Sequence, residues 1–234
     1  DPGRMTETNV LGTRRLVDAA DGRIGRWVQL SSVGVYGQHR EGLIDEAWPI
    51  SPDNDYERTK ATADQIVQER ACKGAFGLVT LRPSIVFGRG MPNRSLLQLG
   101  AVIERGLFFF VGPAGASANY VPAPSVVSAL VLCGTHPAAT GNTYNLSDWT
   151  TIEEFVATIA AVRGVPCPTI RIPLGAARAI ATAIGWLPGC PLTISRVDAL
   201  SGRSRYPITR IEEELGYRHQ KRIDACLRDL FGSG

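Results

Sequence analysis

Tyr56 and Lys60 stand four positions apart, a spacing that brings two side chains to one face of a helix. A free tyrosine has a pKa of about 10 and is a weak base near neutral pH. A neighbouring ammonium stabilises the phenolate, so we expect Lys60 to lower the pKa of Tyr56. Ser32, upstream in the chain, supplies a hydroxyl that can hold the oxygen whose proton moves. These three residue types together predict a proton-transfer site.

The segments around these residues predict a parallel β-sheet. The serine pair at 31–32 ends an apolar run, 27–30, as expected at the carboxyl end of a strand, where open α/β sheets bind ligands. A polar loop that contains proline separates the serines from the helix that carries the tyrosine and the lysine. A second apolar run, 77–81, follows that helix and leads into residues 82–88. The order strand, loop, helix, strand indicates a doubly wound α/β fold.

The chain resembles the NAD-dependent epimerase/dehydratase family of extended short-chain dehydrogenases/reductases, which includes the nucleotide-sugar epimerases. The segments that carry the resemblance follow the family's order along the chain: 9–13, 16–20, 31–37, Tyr56 with Lys60, 82–88, 141–147 and 214–217. It implies a partial Rossmann-like, doubly wound parallel sheet and a smaller C-terminal substrate domain. On this basis the cofactor domain comprises 1–88 and about 117–150, and the substrate-binding domain comprises 89–116 and 151–234.

The resemblance also implies residue roles. In the family mechanism Tyr56 exchanges a proton with a sugar hydroxyl, Ser32 holds the reacting oxygen, and Lys60 holds the nicotinamide ribose and keeps the phenol acidic. The expected catalytic set is therefore Ser32, Tyr56 and Lys60. The expected cofactor-binding set is Asn9, Ser31, Tyr56, Lys60, Pro83, Ser84 and Val86, and substrate contacts are expected from Ser32, Arg89, Asn93 and Arg94. Asn9 either joins the proton relay or holds its helix near the sheet. The expected cofactor is NAD, with NADP as the alternative.

Three departures from the family pattern bear on the substrate. Val33 and Gly34 follow Ser32 at the position where the sugar dehydratases carry an Asp-Glu pair, which argues against dehydration. Residues 116–119 contain no arginine, although family epimerases often hold the substrate diphosphate with one there. Ser125 replaces the usual aspartate, and as a serine it is expected to cap the helix that begins there.

Three functions stay open on these grounds. The first is an NAD(P)-dependent oxidoreductase or epimerase that acts on a nucleotide sugar. The second is a reductase or dehydrogenase of a non-sugar alcohol or ketone, such as a steroid- or flavonol-like compound. The third is a non-catalytic nucleotide-sensing or scaffold protein, and the presence of Ser32, Tyr56 and Lys60 together argues against it.

Capping residues predict where several helices begin. The first helix starts close to the beginning of the chain, with Thr6 or Thr8 as the expected N-cap. Two further starts are predicted by capping boxes at 151–154 and 209–212. No Gly-rich turn of the kind that holds the cofactor pyrophosphate in the family precedes the first helix. Because the matching segments begin at the family's fourth helix and a βαβ unit takes about 30 residues, we expect roughly 60–90 residues of the family's dinucleotide-binding segment to be missing.

Composition limits the remaining classes. The 234 residues are 44% hydrophobic and 20% charged, as in ordinary globular proteins. A formal charge of +3 without a Lys/Arg run argues against nucleic acid. Five scattered cysteines without a C-x-x-C motif predict reduced thiols in a cytoplasmic protein, and the three histidines offer no metal site. Charges and prolines interrupt the apolar stretch 170–194, so no membrane span is expected. The expected partner is a small-molecule substrate, with a homodimer as a possible assembly.

Overall fold

The computed structural model describes residues 1–37, 41–91, 95–185 and 193–232. Its α-helices are α1 (Pro2–Met5), α2 (Gly12–Ala20), α3 (Asp55–Cys72), α4 (Ser95–Glu104), α5 (Ala123–Thr135), α6 (Ile152–Arg163), α7 (Leu174–Ile184), α8 (Ile194–Ser201), α9 (Thr209–Leu215) and α10 (Ile223–Phe231). Its strands are β1 (Arg26–Leu30), β2 (Glu41–Leu43), β3 (Gly77–Pro83), β4 (Ile85–Phe87), β5 (Phe110–Val111), β6 (Ser117–Pro122), β7 (Thr143–Leu146), β8 (Asp148–Thr151), β9 (Arg171–Ile172) and β10 (Arg203–Arg205). None of the helices in these ranges has both the length and the apolar character that a membrane crossing requires.

The chain forms two compact units. The first contains Asp1–Val86, Ala123–Ser147 and Tyr206–Gln220, and the second contains Phe87–Pro122, Asp148–Arg205 and Lys221–Gly234. Two segments lie outside the domain boundaries expected from the sequence. The segment of β6 belongs to the second unit because it pairs with β8, and α9 belongs to the first because Arg210 donates to the carbonyl of Thr143 in β7. The assignment of one unit to the cofactor and the other to the substrate stays a prediction.

A parallel sheet forms the centre of the first unit, with the strand order β1-β3-β7. Trp27 lies opposite Leu78 and Leu30 opposite Leu81, so the carboxyl ends of β1 and β3 meet at the same edge. Parallel neighbours need a crossover connection, which α3 provides between β1 and β3 and α5 between β3 and β7. Every residue of β3 after the first is buried, which is typical of a strand covered on both faces. The predicted α/β fold with a parallel sheet is confirmed.

An apolar cluster fixes α2 and α3 against this sheet. Val17 of α2 and Val67 of α3 are buried together with Phe76 and Leu78, at the start of β3. Trp27 of β1 stacks on Phe76, with the two rings 5.6 Å apart. Burial of each large apolar side chain stabilises the unit by about 1.5–3 kcal/mol. This cluster therefore fixes the position of α3, the helix that carries Tyr56 and Lys60.

The first helix begins earlier than the sequence predicted. Asp1, rather than Thr6 or Thr8, is the N-cap, and its carboxylate accepts two backbone amide hydrogens of the first turn. Pro2 occupies the first helical position, where its missing amide hydrogen costs nothing. The helix then continues from α1 to α2 through a π-helical turn, Thr6–Leu11, which the sequence pattern did not predict.

The second unit contains an antiparallel pair and a core of aromatic and aliphatic side chains. β6 pairs with β8, and Tyr120 of β6 stacks on Phe155 of α6 with the rings 4.5 Å apart. Leu227 and Phe231 of α10 are buried in the same cluster. Through these contacts the strand pair, α6 and α10 pack against one another around a shared core.

Capping predictions had mixed outcomes. The box at the start of α6 is confirmed, because Thr151 and Glu154 each bond the other's backbone amide. The second box is wrong, since Thr209 is the first residue of α9 and its N-cap, Ile208, makes no side-chain bond. Ser125 does not cap α5 either, because the helix already begins at Ala123 and the Ser125 hydroxyl lies buried without a hydrogen-bond partner among the described residues.

Candidate active site

The Tyr56/Lys60 helix is anchored at the carboxyl end of β1. The side chain of Asn54 caps α3 by accepting the amide hydrogen of Glu57, which places Tyr56 in the first turn. Lys60 follows one turn later on the same face. Its ammonium donates a hydrogen bond to the carbonyl of Leu30, the last residue of β1. The lysine therefore lies at the edge of the sheet where doubly wound folds bind ligands.

Ser32 follows β1 and opens the 3-10 turn Val33–Tyr36. Its hydroxyl accepts the amide hydrogen of Gly34 at 3.1 Å, which fixes the side chain at the start of the turn. The Ser32 hydroxyl acts on the phenol of Tyr56 and lowers its pKa. The structure thus brings together the hydroxyl and the phenol that the sequence singled out, and their catalytic roles stay predictions.

The pKa of Tyr56 is raised from its ordinary value, opposite to the direction expected from a neighbouring cation. Burial of the phenol is the largest cause, because the phenolate loses solvation, and the charges of Asp64 and Glu57 add to it. The Ser32 hydroxyl opposes these effects. The tyrosine nevertheless remains 45% exposed, so a ligand can reach it.

Burial also lowers the pKa of Lys60, since the ammonium loses solvation, while the charge of Asp64 opposes this change. The ammonium has three N–H donors, and the bond to Leu30 uses one of them. Within the part of the chain that the structure describes, two donors therefore remain to bind hydroxyl groups of a ligand at this edge.

A buried carboxylate that the sequence reasoning missed lies one turn beyond Lys60. Asp64 accepts a hydrogen bond from the amide of Gln29 at 3.1 Å and another from the hydroxyl of Ser31. Burial raises the pKa of Asp64, and the bonds from Ser31 and Gln29, followed by the charges of Arg82 and Lys60, oppose that rise. The spacing of four after Lys60 was the signal in the sequence that could have found it.

Asn9 lies on the π-helical turn and contacts α3. Its amide donates to the hydroxyl of Thr59 at 3.0 Å, and that hydroxyl donates to the backbone carbonyl of Tyr56 at 2.8 Å. The bond holds the first helix against α3, rather than against the sheet as one of the two expectations had it. Such π-turns are frequent at functional sites.

The segment after β3 supplies polar atoms that suit a ligand. The backbone amide of Ser84 donates to the carbonyl of Leu146, while its side chain is buried. The hydroxyls of Ser84 and Ser147 make no hydrogen bond to any described residue. Since buried polar groups normally have partners, two such hydroxyls at the carboxyl ends of neighbouring strands fit a polar ligand such as a nicotinamide nucleotide. Pro83 is buried and Val86 half-buried beside them.

A buried polar network supports the turn that begins at Ser32. The phenol of Tyr36 accepts a bond from Arg82 at 2.9 Å and donates one to Asn145 at the same distance. Asn145 in turn donates to the carbonyl of Ile44 at 3.1 Å. Tyr36 and Asn145 are fully buried, so these bonds are shielded from water and fix the end of the turn.

The expected substrate residues are only partly described. Arg89 lies exposed in the turn after Gly88, and its role stays a prediction. Asn93 and Arg94 lie outside the described residues. Within the described ranges, no three His, Cys, Asp or Glu side chains are grouped as a metal site requires.

The sequence model of the NAD dependent epimerase/dehydratase family matches residues 1–147, which include Ser32, Tyr56 and Lys60. The chain belongs to the NAD-dependent epimerase/dehydratase family. The family resemblance is thus confirmed, and the family's description names NAD, the cofactor that the resemblance implied.

Two curated relatives of the chain have names that refer to different compounds, a nucleotide sugar and a sterol. The chain is 24% identical over 222 residues to UDP-glucose 4-epimerase of Vibrio cholerae, which covers 91% of the chain and 64% of the relative. It is 28% identical over 183 residues to sterol demethylase protein B of Methylococcus capsulatus, covering 74% of the chain and 53% of the relative. The chain therefore spans less than two thirds of the length of either relative.

The fold is shared with solved structures. A short-chain dehydrogenase/reductase superfamily protein from Agrobacterium tumefaciens, crystallised with bound NAD, aligns with 98% of the chain and 73% of its own length. The TM-score is 0.74 and the sequence identity 23%. This likeness shows the Rossmann-like fold of the family.

Proposed function

We propose that this chain carries the proton-transfer centre of an NAD(P)-dependent oxidoreductase or epimerase that acts on a nucleotide sugar. The observation that carries the proposal is the meeting of Ser32, Tyr56 and Lys60 at the carboxyl end of β1. Family membership and the similarity to a UDP-glucose 4-epimerase support the substrate class. A homodimer stays a prediction.

The side chains divide the proton chemistry between them. Tyr56 exchanges a proton with the substrate oxygen, and the Ser32 hydroxyl donates a hydrogen bond to that oxygen as its charge changes. The two unused donors of the Lys60 ammonium would hold ribose hydroxyls, and the free hydroxyls of Ser84 and Ser147 would bind polar groups of the same ligand. When bound, NAD supplies the hydride acceptor.

A second candidate is a reductase or dehydrogenase of a non-sugar alcohol or ketone, such as a steroid. Two observations favour it. Residues 116–119, which stand where family epimerases often carry a diphosphate-binding arginine, contain none. The similarity to a sterol demethylase protein also extends over 183 residues.

Replacing Tyr56 tests the proposal. In the whole protein, Tyr56→Phe is expected to lower kcat by about 10²–10⁴-fold, because it removes the proton donor while keeping the ring. Turnover is measured by nicotinamide absorbance and by sugar product analysis, with the fold checked by circular dichroism. Tyr120→Phe is the matched control, since it makes the same change in the second unit and should leave kcat near the wild-type value. Wild-type kcat in Tyr56→Phe would show that the proposed mechanism is wrong.

A further inference from the structure

Three successive residues at the end of β1 each interact with a different turn of α3. Lys60 donates a hydrogen bond to the carbonyl of Leu30, Asp64 accepts one from the hydroxyl of Ser31, and the Ser32 hydroxyl acts on the pKa of the Tyr56 phenol. The three helix residues are spaced by four, so they lie along one face. The first and third contacts belong to the proposed proton-transfer site, whereas the middle contact has no role in it so far.

Asp64 is also an unusual residue for a structural helix face. Only 9% of it is exposed, and its carboxylate points at β1, where Gln29 donates a second hydrogen bond. Burying a carboxylate is costly unless hydrogen bonds and opposite charges compensate. Lys60 on α3 and Arg82 on β3 provide the opposite charges. The chain therefore keeps a compensated negative charge next to the Tyr56/Lys60 pair.

We propose that Asp64 is a positioning residue of the proton-transfer site, which anchors the end of β1 through Ser31 and sets the charge balance around Tyr56 and Lys60. This inference rests on the proposed function of the site. It assigns two separable effects to one side chain: a hydrogen bond that fixes the backbone preceding Ser32, and a negative charge that acts on the phenol and the ammonium.

The signs of the charge effect can be stated. The charge of Asp64 raises the pKa of Tyr56, because it disfavours the phenolate, and it also raises that of Lys60, because it favours the ammonium. Glu57 is the other charged group that acts on the phenol, and it acts in the same direction as Asp64. Neutralising Asp64 should therefore lower the pKa of both Tyr56 and Lys60.

The charge effect can be measured without substrate. Asp64→Asn keeps the size of the side chain and one acceptor oxygen, replaces the other oxygen with an amide donor, and removes the charge. With ¹³C-labelled tyrosine, the Tyr56 resonance is identified among the six tyrosines by its loss in Tyr56→Phe, and its pKa is read from the pH titration. Asp64→Asn is expected to lower that pKa by about 0.5–1 unit. Glu69→Gln, an exposed carboxylate of the same helix, removes the same charge and should leave it unchanged.

The anchoring effect is tested by a second variant. Ser31→Ala removes the hydrogen bond to Asp64 and keeps the carboxylate. In the whole protein it is expected to lower kcat about tenfold with little change in KM, without the fall in the Tyr56 pKa seen in Asp64→Asn. Because Ser31→Ala leaves Asp64 in place, it tests the anchor even if Asp64→Asn does not fold.

The outcomes separate this inference from the proposed function. A lowered Tyr56 pKa in Asp64→Asn supports the charge effect even if no nucleotide sugar is turned over, a result that would count against the proposed function alone. Turnover in the wild type combined with an unchanged Tyr56 pKa in Asp64→Asn overturns the charge effect. Wild-type kcat in Ser31→Ala overturns the anchor.

Discussion

The pKa of Tyr56 lies above that of a free tyrosine, and this direction matters for its chemistry. Its raised pKa keeps the phenol protonated near neutral pH, so in this chain alone the group is suited to donate a proton to a carbonyl oxygen. Acting as a base requires positive charge beside the phenol, since a cation favours the phenolate. Burial also lowers the pKa of Lys60, the cation that the sequence places one turn along α3. Burial therefore disfavours the charged form of both groups.

The hydroxyl of Tyr36 supports the 3-10 turn that follows Ser32. In Tyr36→Phe, the donor of Arg82 and the acceptor of Asn145 lose their shared partner inside the protein. We expect a loss of about 1–3 kcal/mol in the free energy of unfolding, the cost of leaving buried polar groups unpaired. Urea unfolding followed by circular dichroism measures it.

Tyr120→Phe is the control for this stability measurement, because the Tyr120 hydroxyl has no hydrogen bond among the described residues and burial is the cause of its raised pKa. It should lose less stability than Tyr36→Phe. Equal losses in the two variants would contradict the role given to the Tyr36 network.

Three residues of the candidate site could be identified from the sequence, and a fourth, Asp64, could not. Ser32, Tyr56 and Lys60 could be found because their types and spacing have known chemistry. Asp64 has the same spacing, yet an acidic residue on a helix is usually solvated. Only the packing of α3 against β1 shows that this carboxylate is buried and that Ser31 is its partner.

At the scale of elements, apolar runs located β1 and β3, and the Tyr/Lys spacing located α3. Helix starts were harder to predict. Thr6 and Thr8 have the chemistry of an N-cap, but Asp1 followed by proline begins the helix first. The π-turn that carries Asn9 adds a residue to one turn, which depends on packing against α3 and leaves no mark in the apolar spacing.

The start of α6 offers a test of capping energy. Thr151→Ala removes the side chain that accepts the Glu154 amide hydrogen, so the second unit should lose about 0.5–2 kcal/mol of stability. Thr158→Ala, in the interior of the same helix, removes an exposed hydroxyl that bonds only a backbone carbonyl and should change stability by less than about 0.5 kcal/mol. Thermal unfolding of both variants measures the two losses of stability. If Thr151→Ala is as stable as Thr158→Ala, the role of Thr151 as the N-cap of α6 is refuted.

At the scale of the whole molecule, each unit is assembled from separate stretches of the chain. The return of Tyr206–Gln220 to the first unit depends on Tyr144 donating to Glu214 and on Arg210 bonding Asn142. These contacts join residues about 70 positions apart, which a periodic pattern cannot reveal. The sequence therefore predicted the parallel sheet, whereas the boundaries of the two units depend on contacts between distant segments.

The substrate class is a property of the whole protein and calls for a direct comparison. The whole protein is assayed with NAD and NADP against a panel of UDP-, dTDP- and GDP-sugars and, in parallel, against hydroxysteroids and simple secondary alcohols. We expect turnover with a nucleotide sugar, because Ser32, Tyr56 and Lys60 meet at one edge of a sheet in a member of this family. Tyr56→Phe serves as the blank, since it should remove turnover of the true substrate and leave any contaminating activity.

The three functions predict different results in that panel. Tyr56-dependent turnover of a steroid or simple alcohol, without turnover of any sugar, would favour the second candidate and fit the absence of an arginine at 116–119. Cofactor binding without turnover of any compound would favour a nucleotide-sensing protein. Turnover of a sugar nucleotide with release of water would contradict the expectation from Val33 and Gly34, since neither side chain can transfer the proton that elimination requires.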